Sequence, residues 1–208
     1  MHTFSLSAKR TIKRLEKTGM GLVNLPSDLN LLLHGAKPSV LMRLDTVYAR
    51  CFLENYPSLT VPRAKDSGVL IFLNAEELQK YVTRVATLQP SMRTGENMLT
   101  CSAEKIGVVL GYPPEVCEWY EDMQQTELCK RNDGKCTVHY HGYRFFTHRE
   151  VVLTNIKWME ENRPIPQEIQ KGVYIEIATE LDEQGHVIDR KTVTLEEFRE
   201  IGKEYIEM

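Results

Sequence analysis

The sequence lacks the features that would place it in a membrane or outside the cell. It contains no run of about 20 apolar residues, the length that a membrane-spanning helix requires. Residues 1–6 do not begin a charged-then-apolar secretory signal. The five cysteines are an odd number and are scattered, which is typical of reduced thiols. We therefore predict a cytoplasmic protein that does not contact a membrane.

Catalytic motifs and excess positive charge are also missing. The chain has 26 Lys and Arg against 29 Asp and Glu, a net charge of −3, so as a whole it has no basic footprint for nucleic acid. It contains neither a Gly-x-Ser-x-Gly nucleophile elbow nor a Gly-x4-Gly-Lys-Ser/Thr phosphate loop. We predict no catalytic residue, no cofactor and no nucleic-acid partner, and we favour a non-enzymatic protein.

One N-terminal segment departs from this charge balance. Residues 6–18 have the pattern of an amphipathic helix that ends at Gly19. Its cations are opposed only by Glu16 and are Lys9, Arg10, Lys13, Arg14 and Lys17. A solvated helix face is the ordinary explanation, and a face that contacts phosphate groups is the alternative.

The composition is that of an ordinary packed protein. Apolar residues make up 42% and charged residues 26% of the 208 positions, which suits a fold that needs no disulfide or metal. We predict an α+β fold: a small, mostly antiparallel sheet covered by several short helices, with a C-terminal β-hairpin plus helix. The predicted main domain spans 1–163. Residues 164–208 form the hairpin–helix module, either separate or at the edge of the same sheet.

Two further helices are predicted before residue 55. Ser27 or Asp28 can cap a short apolar helix. Residues 40–54 carry apolar side chains at helical spacing, and Pro38 suits the start of that helix. Farther on, the β-like runs 59–61 and 69–73 predict a hairpin.

Capping patterns and turn residues predict the middle of the chain. Asn74 followed by Glu77 predicts a helix start, and residues 89–97 are predicted to be a loop. Residues 106–116 predict a helix–turn–helix, because Gly111 ends one helix and the Pro113-Pro114 pair begins the next.

The C-terminal third shows strand alternation and further capping patterns. Residues 137–146 alternate and predict one strand, after which Thr147 opens a capping box for a helix. Residues 173–180 and 187–193 predict a hairpin, and Thr194 caps a last helix.

Cysteines and histidines cluster between residues 129 and 148. Zinc favours thiolate and imidazole ligands, and on one strand His139 and His141 would share a face. The spacing of Cys129, Cys136 and these histidines lacks the two-residue gap of a zinc finger. We therefore predict no metal ligands and interpret the histidines, with His148, as surface residues. A metal-dependent site in this region is the alternative.

Three loops combine glycine, aromatic and basic residues, and each precedes a helix in the predicted structure. Helix N-termini attract anions, so these loops favour a small anionic or nucleotide-like ligand. Ordinary turn chemistry is the alternative explanation. The predicted ligand-binding residues are Lys37, Gly111, Tyr112, His141, Tyr143 and Arg144.

Two segments resemble a bacterial family known as domain of unknown function 3793. Residues 33–41 (LHGAKPSVL) are similar to its early Ala-Gly-x-Lys-Pro-like element. Residues 105–116 (KIGVVLGYPPEV) resemble its Ile-Gly-x-x-Leu-Gly-Tyr-Pro signature. Residues 138–146 are similar to the glycine-aromatic strand that follows. The resemblance covers about residues 20–162 and implies a shared fold, with no established activity.

Three functional hypotheses follow. The first is an intracellular binding protein for a small-molecule ligand or a protein partner, acting as a regulator or sequestering protein of a bacterium or phage. The second is an enzyme with an unfamiliar site that uses His139 or His141. The third is a structural protein that forms homo-oligomers through the exposed aromatic residues Trp119, Tyr143 and Trp158.

Overall fold

A computed structural model shows the α+β fold that the sequence predicts. It describes residues 3–62, 67–84, 87–90, 97–100, 103–124, 132 and 134–206. The chain forms two compact units, Met1–Gly111 and Tyr112–Met208. Within the described ranges, no helix combines the length and the apolar character needed to cross a membrane.

The first unit contains two antiparallel sheets and five α-helices among the described residues. The helices are α1 (Leu6–Lys17), α2 (Ser27–Leu33), α3 (Ala49–Leu53), α4 (Ala75–Arg84) and α5 (Ala103–Val109). The strands are β1 (Ser39–Arg43), β2 (Ser58–Pro62), β3 (Ser67–Phe72), β4 (Thr87–Pro90) and β5 (Asn97–Thr100). Strand β3 lies between β1 and β2, and β4 pairs with β5.

Strand β3 forms the centre of the first unit. Because side chains alternate along a strand, Val69 and Ile71 join the apolar cluster that includes Phe52 of α3. Leu70 and Phe72 point the other way, into a cluster with Tyr81 of α4. Both faces of the three-stranded sheet are therefore buried, which explains the continuous apolar run at this position.

The helix predicted over 40–54 is wrong. Residues 39–43 form β1, in which Val40 pairs with Ile71, so Pro38 precedes a strand and not a helix. Leu44 and Val47, two members of the supposed apolar stripe, are exposed. Only residues 49–53 are helical.

The side chain of Val47 is 77% exposed and that of Leu44 is 44% exposed. Both residues lie in the turn between β1 and α3, where an apolar stripe would have no core to cover.

Other local predictions for the first unit have mixed outcomes. The hairpin of β2 and β3 is confirmed, and so is the cap of α4, where Asn74 Oδ1 accepts a hydrogen bond from Glu77 N at 2.9 Å. The loop predicted over 89–97 is wrong at its ends, because Gln89 pairs with Met98 in the β4–β5 ladder. Helix α2 begins at Ser27 and has Pro26 as its N-cap residue, so no side chain caps it.

The second unit is built around one four-stranded antiparallel sheet. The helices whose bounds are described are α6 (Pro114–Gln124), α7 (Val152–Asn162) and α8 (Leu195–Ile206). Its strands are β6 (Lys135–Tyr140), β7 (Tyr143–His148), β8 (Val173–Leu181) and β9 (Val187–Thr194), in the order β7-β6-β8-β9. Because β8 pairs with β6, the C-terminal hairpin is an edge of the same sheet, which was one of the two alternatives.

One face of this sheet forms the core of the second unit. Val138 is paired with Phe145 on one side and Ile175 on the other, and all three are buried. Helix α7 contacts β6, α6 contacts β7, and α8 contacts β8 and β9. Apolar burial of this kind contributes about 25 cal/mol for each Å² removed from water, so packing on this face stabilises the unit.

The single strand predicted over 137–146 is wrong, because the segment is a hairpin. Tyr140 pairs with Tyr143, and the two residues between them have φ angles of +46° at His141 and +105° at Gly142. Two successive positive φ angles are typical of the type I′ turn that joins twisted strands. His139 and His141 therefore do not share a strand face.

Two capping predictions in the second unit differ in outcome. At Thr194 the capping box is confirmed, since its N–H donates to Glu197 Oε2 at 2.7 Å and its Oγ1 accepts from Glu197 N at 3.2 Å. At Thr147 it is wrong: Thr147 is buried within β7, and its Oγ1 accepts a hydrogen bond from Asn155 Nδ2 at 3.0 Å. A short 3₁₀ turn, Arg149–Val151, precedes α7 instead.

The predicted helix–turn–helix is confirmed at the level of secondary structure. Helix α5 ends at Val109, α6 begins at Pro114, and Gly111 between them has φ of +88°. This left-handed conformation is one that glycine adopts without strain. The boundary between the two units follows Gly111, so α5 belongs to the first unit and α6 to the second.

Candidate functional site: the open face of the four-stranded sheet

Two of the six predicted ligand-binding residues lie in the first unit. Lys37 is 1% exposed, and its Nζ forms an ion pair with Asp28 Oδ1 at 2.9 Å. Gly111 is buried in the turn after α5. Lys37 is therefore buried, and its ammonium group has a structural partner, Asp28, within its own unit.

Tyr112 and Tyr143 are brought together in the second unit. Their ring centroids lie 6.0 Å apart in an edge-to-face arrangement, and Tyr112 also lies 6.1 Å from Phe145. Tyr143 is fully buried. The prediction that Tyr143 is an exposed interface aromatic is therefore wrong, because its side chain points to the core face of β7.

His141 occupies the turn between β6 and β7. Its backbone N–H donates to Gly172 O at 3.0 Å, and its Nδ1 accepts a hydrogen bond from Gly172 N at 3.1 Å. Partial burial lowers the pKa of His141 below its ordinary value, while the carboxylate of Glu160 acts in the opposite direction. His141 thus joins the turn to the segment that leads into β8.

Arg144 lies on the opposite face of β7 from Tyr143 and is exposed. The cross-strand register places it beside His139, and His139 in turn beside Tyr174 of β8. We call this surface the open face. Its members are Lys135, Thr137, His139, Arg144, Phe146, Tyr174, Glu176 and Arg190.

A stacked pair of rings lies at the centre of the open face. The ring centroids of His139 and Tyr174 are 4.2 Å apart, with an angle of 11° between the ring planes. His139 Nε2 lies 2.9 Å from Glu176 Oε1, which fixes the orientation of the imidazole. Tyr174 is 39% exposed, so this pair presents an aromatic surface to solvent.

A second aromatic position lies on β7. Lys135 Nζ is 4.6 Å from the centroid of the Phe146 ring, and Arg144 Cζ is 5.6 Å from it. Cations over an aromatic face are attracted by its quadrupole, with about 0.5–1 kcal/mol at exposed sites. The two cations are therefore held near the second ring.

Arg190 of β9 completes the charge pattern of the open face. Its Nη1 donates a hydrogen bond to Thr137 Oγ1 at 3.4 Å and lies 3.9 Å from Glu176 Oε2. The face thus carries three permanent cations, Lys135, Arg144 and Arg190, against one carboxylate. Such a surface can hold a planar ring by stacking and an anionic group by charge-assisted hydrogen bonds.

Sequence reasoning found Arg144 and His139 but not the partners that make a site of them. Tyr174 and Glu176 were recognised only as members of an alternating strand. The alternation itself was a usable signal, because it places these two side chains on one face. The pairing of β8 with β6 joins residues more than 30 positions apart, and no local pattern predicts it.

The metal alternative has no geometric support among the described residues. In that part of the chain, no three His, Cys, Asp or Glu side chains are grouped so that they could hold a metal ion. Cys129 lies outside the described residues. Cys136 is buried on the core face, and burial raises the pKa of its thiol to about 11.

Comparisons with known proteins identify no family for this chain. No family model, no curated protein and no solved structure matches the chain. The resemblance to domain of unknown function 3793 therefore stays a prediction. The chemistry of the open face is the basis for inferring function.

Proposed function

We propose that the second unit is a binding module that holds a nucleotide-like ligand on the open face of its sheet. The observation that supports this most is the exposed His139–Tyr174 stack beside the cation Arg144. A nucleobase can stack on the rings, and its phosphate can bind the guanidinium. The proposal keeps the ligand class that the sequence predicts and assigns it to a surface instead of to the loops.

The electrostatics of the open face support an anionic ligand. Glu176 is engaged by His139 and Arg190, so its charge is partly compensated. Arg144 is exposed, and its guanidinium lies over the ring of Phe146. A phosphate that binds Arg144 would gain a charge-assisted hydrogen bond worth about 1.5–3 kcal/mol.

Two matched pairs of variants test this proposal with ATP as the probe. Tyr174→Ala removes the stacking ring, and Tyr120→Ala removes a ring of similar exposure, 42%, on α6. Stacking of a base on an aromatic side chain is worth about 1–3 kcal/mol, so Tyr174→Ala should weaken ATP binding about 5- to 150-fold. Arg144→Ala is compared with Arg199→Ala, an exposed arginine on α8.

Chemical-shift perturbation in NMR locates the binding surface independently of affinity. We expect ATP to shift the amide resonances of β6, β7 and β8, and the two control variants to bind as the wild type does. If ATP shifts resonances elsewhere, or if Tyr120→Ala weakens binding as much as Tyr174→Ala, the open face is not the site.

The His139–Glu176 pair supports a second candidate, an enzyme. A histidine oriented by a carboxylate is the arrangement that general-base catalysis uses. The same ATP titration distinguishes the two functions when it is followed by phosphorus NMR. Unchanged ATP after prolonged incubation favours the binding module, whereas release of phosphate that His139→Asn abolishes favours the enzyme.

A further inference from the structure

The exposed side of α1 carries a continuous row of cations. We call it the basic face, and its residues are Lys9, Arg10, Lys13, Arg14 and Lys17, all exposed. On the opposite side of the helix, Ala8, Thr11 and Leu15 are buried in the first unit. The packing of α1 therefore holds the basic face toward solvent.

Little negative charge compensates the basic face. Arg14 Nη2 lies 3.2 Å from Glu54 Oε1, but the same oxygen lies 3.2 Å from Arg50 Nε, so one carboxylate is shared by two guanidinium groups. Five cations less Glu16 give α1 a net charge of +4. Because the whole chain carries −3, the remaining residues together carry −7. The positive charge is concentrated on one helix.

We propose that the basic face binds the phosphate backbone of a nucleic acid without sequence preference. The site belongs to the first unit and is independent of the function proposed for the second. Lys9 and Lys17 are eight residues apart, which is about 12 Å along a helix. That length corresponds to three or four phosphates of one strand, at about 3.4 Å of axial rise each.

The structure favours nucleic acid over a lipid surface or an acidic protein. Helices that lie on membranes insert an apolar face, and the apolar side of α1 is used in the core, with only Leu6 exposed at its start. Protein interfaces are anchored mainly by aromatic side chains and arginine in packed pockets. The basic face has no aromatic residue. A row of cations alone suits a charged backbone.

Salt dependence gives the proposal a quantitative signature. If about four phosphates are neutralised, the logarithm of the binding constant should fall with the logarithm of salt concentration with a slope of about −3.6. Binding should then weaken about 100-fold between 50 and 200 mM salt. Removing two of the four contacts should reduce the slope to about −1.8.

The experiment measures fluorescence anisotropy of a labelled 24-base-pair DNA duplex with the full chain. The test variant is the double reversal Lys9→Glu and Lys13→Glu. Its control is Lys157→Glu with Lys191→Glu, which changes the net charge equally at exposed sites of the second unit. We expect the test variant to bind at least tenfold more weakly than wild type at 50 mM salt, and the control to change binding less than threefold.

Several results would overturn the proposal. One is a wild type that does not bind the duplex at 50 mM salt. Another is an equal loss of binding in the test and control variants, which would mean that binding depends only on the net charge of the chain. Binding to vesicles that contain phosphatidylserine, without binding to the duplex, would assign the face to lipid. Circular dichroism at 222 nm establishes that each variant keeps its helices, and the milder pair Lys9→Gln and Lys13→Gln should give a smaller loss in the same direction.

Discussion

The Lys37–Asp28 ion pair allows a quantitative test of how the first unit is stabilised. The side chain of Lys37 is 1% exposed, so its ammonium cannot regain water when the carboxylate is removed. Removing one partner of a buried pair costs about 3–5 kcal/mol. Two features reduce this value: the side chain of Asp28 is 43% exposed, and Lys37 makes a further contact. We expect Asp28→Ala to lower the free energy of unfolding by about 1–3 kcal/mol.

The matching variant, Lys37→Met, removes the charge that needs compensation. Replacement of a buried ion pair by apolar side chains of similar volume is often neutral or stabilising. We expect Lys37→Met to change the free energy of unfolding by less than about 1 kcal/mol. In that background, Asp28→Ala should cost less than about 0.5 kcal/mol, since no buried ammonium remains.

The assay has to report on the first unit alone. Both tryptophans, Trp119 and Trp158, lie in the second unit, so their fluorescence in urea serves as the control and should not change. Amide hydrogen exchange of β1 and β3 measures the opening of the first unit. An equal cost of Asp28→Ala in both backgrounds would refute the reasoning, and so would a loss above about 2 kcal/mol for Lys37→Met.

Two further predictions concern the second unit. Burial lowers the pKa of His141, so the unfolded chain binds a proton at this residue at a higher pH than the folded chain does. The contribution of His141 to the free energy of unfolding is therefore fully present above its ordinary pKa of 6.5 and is lost as the pH falls through the folded pKa. We expect urea unfolding followed by tryptophan fluorescence to show this loss of stability at low pH. The substitution His141→Asn, in which asparagine tolerates the positive φ, should make the loss smaller. The same pH profile in the variant and the wild type would contradict the role of His141. Thr147→Val leaves the buried Asn155 amide without its acceptor and should cost about 1–3 kcal/mol, whereas adding Asn155→Leu should recover part of that loss in the same assay. Additive losses would mean that the hydrogen bond is not the cause.

Local chemistry made some of the fold predictable. Asn74 and Thr194 cap helices because their side chains reach backbone amides three residues ahead, and that reach depends on nothing distant. Gly111 followed by two prolines predicted the end of one helix and the start of the next for the same reason. The antiparallel hairpins at β2–β3 and β8–β9 were found because a short turn separates their strands.

The secondary-structure predictions failed where pairing with a strand far away in the sequence decides the conformation. Residues 39–43 form a strand because β3, almost 30 residues later, offers hydrogen bonds and an apolar face. Over five residues, helical and strand periodicity cannot be distinguished. The hairpin at His141-Gly142 had a local signal, since glycine after a residue that tolerates positive φ favours a type I′ turn. The open face needed the β6–β8 register, which no local pattern specifies.

The division of the chain at Gly111 has a consequence for synthesis on the ribosome. Each sheet takes its strands from one unit, and both apolar clusters around β3 use residues up to Leu110 only. At about 5–20 residues per second, the rest of the chain needs roughly 5–20 s to be made. Small domains fold faster than that. The first unit can therefore complete its fold while the second is still being translated, so that strands of the two units have little opportunity to mispair.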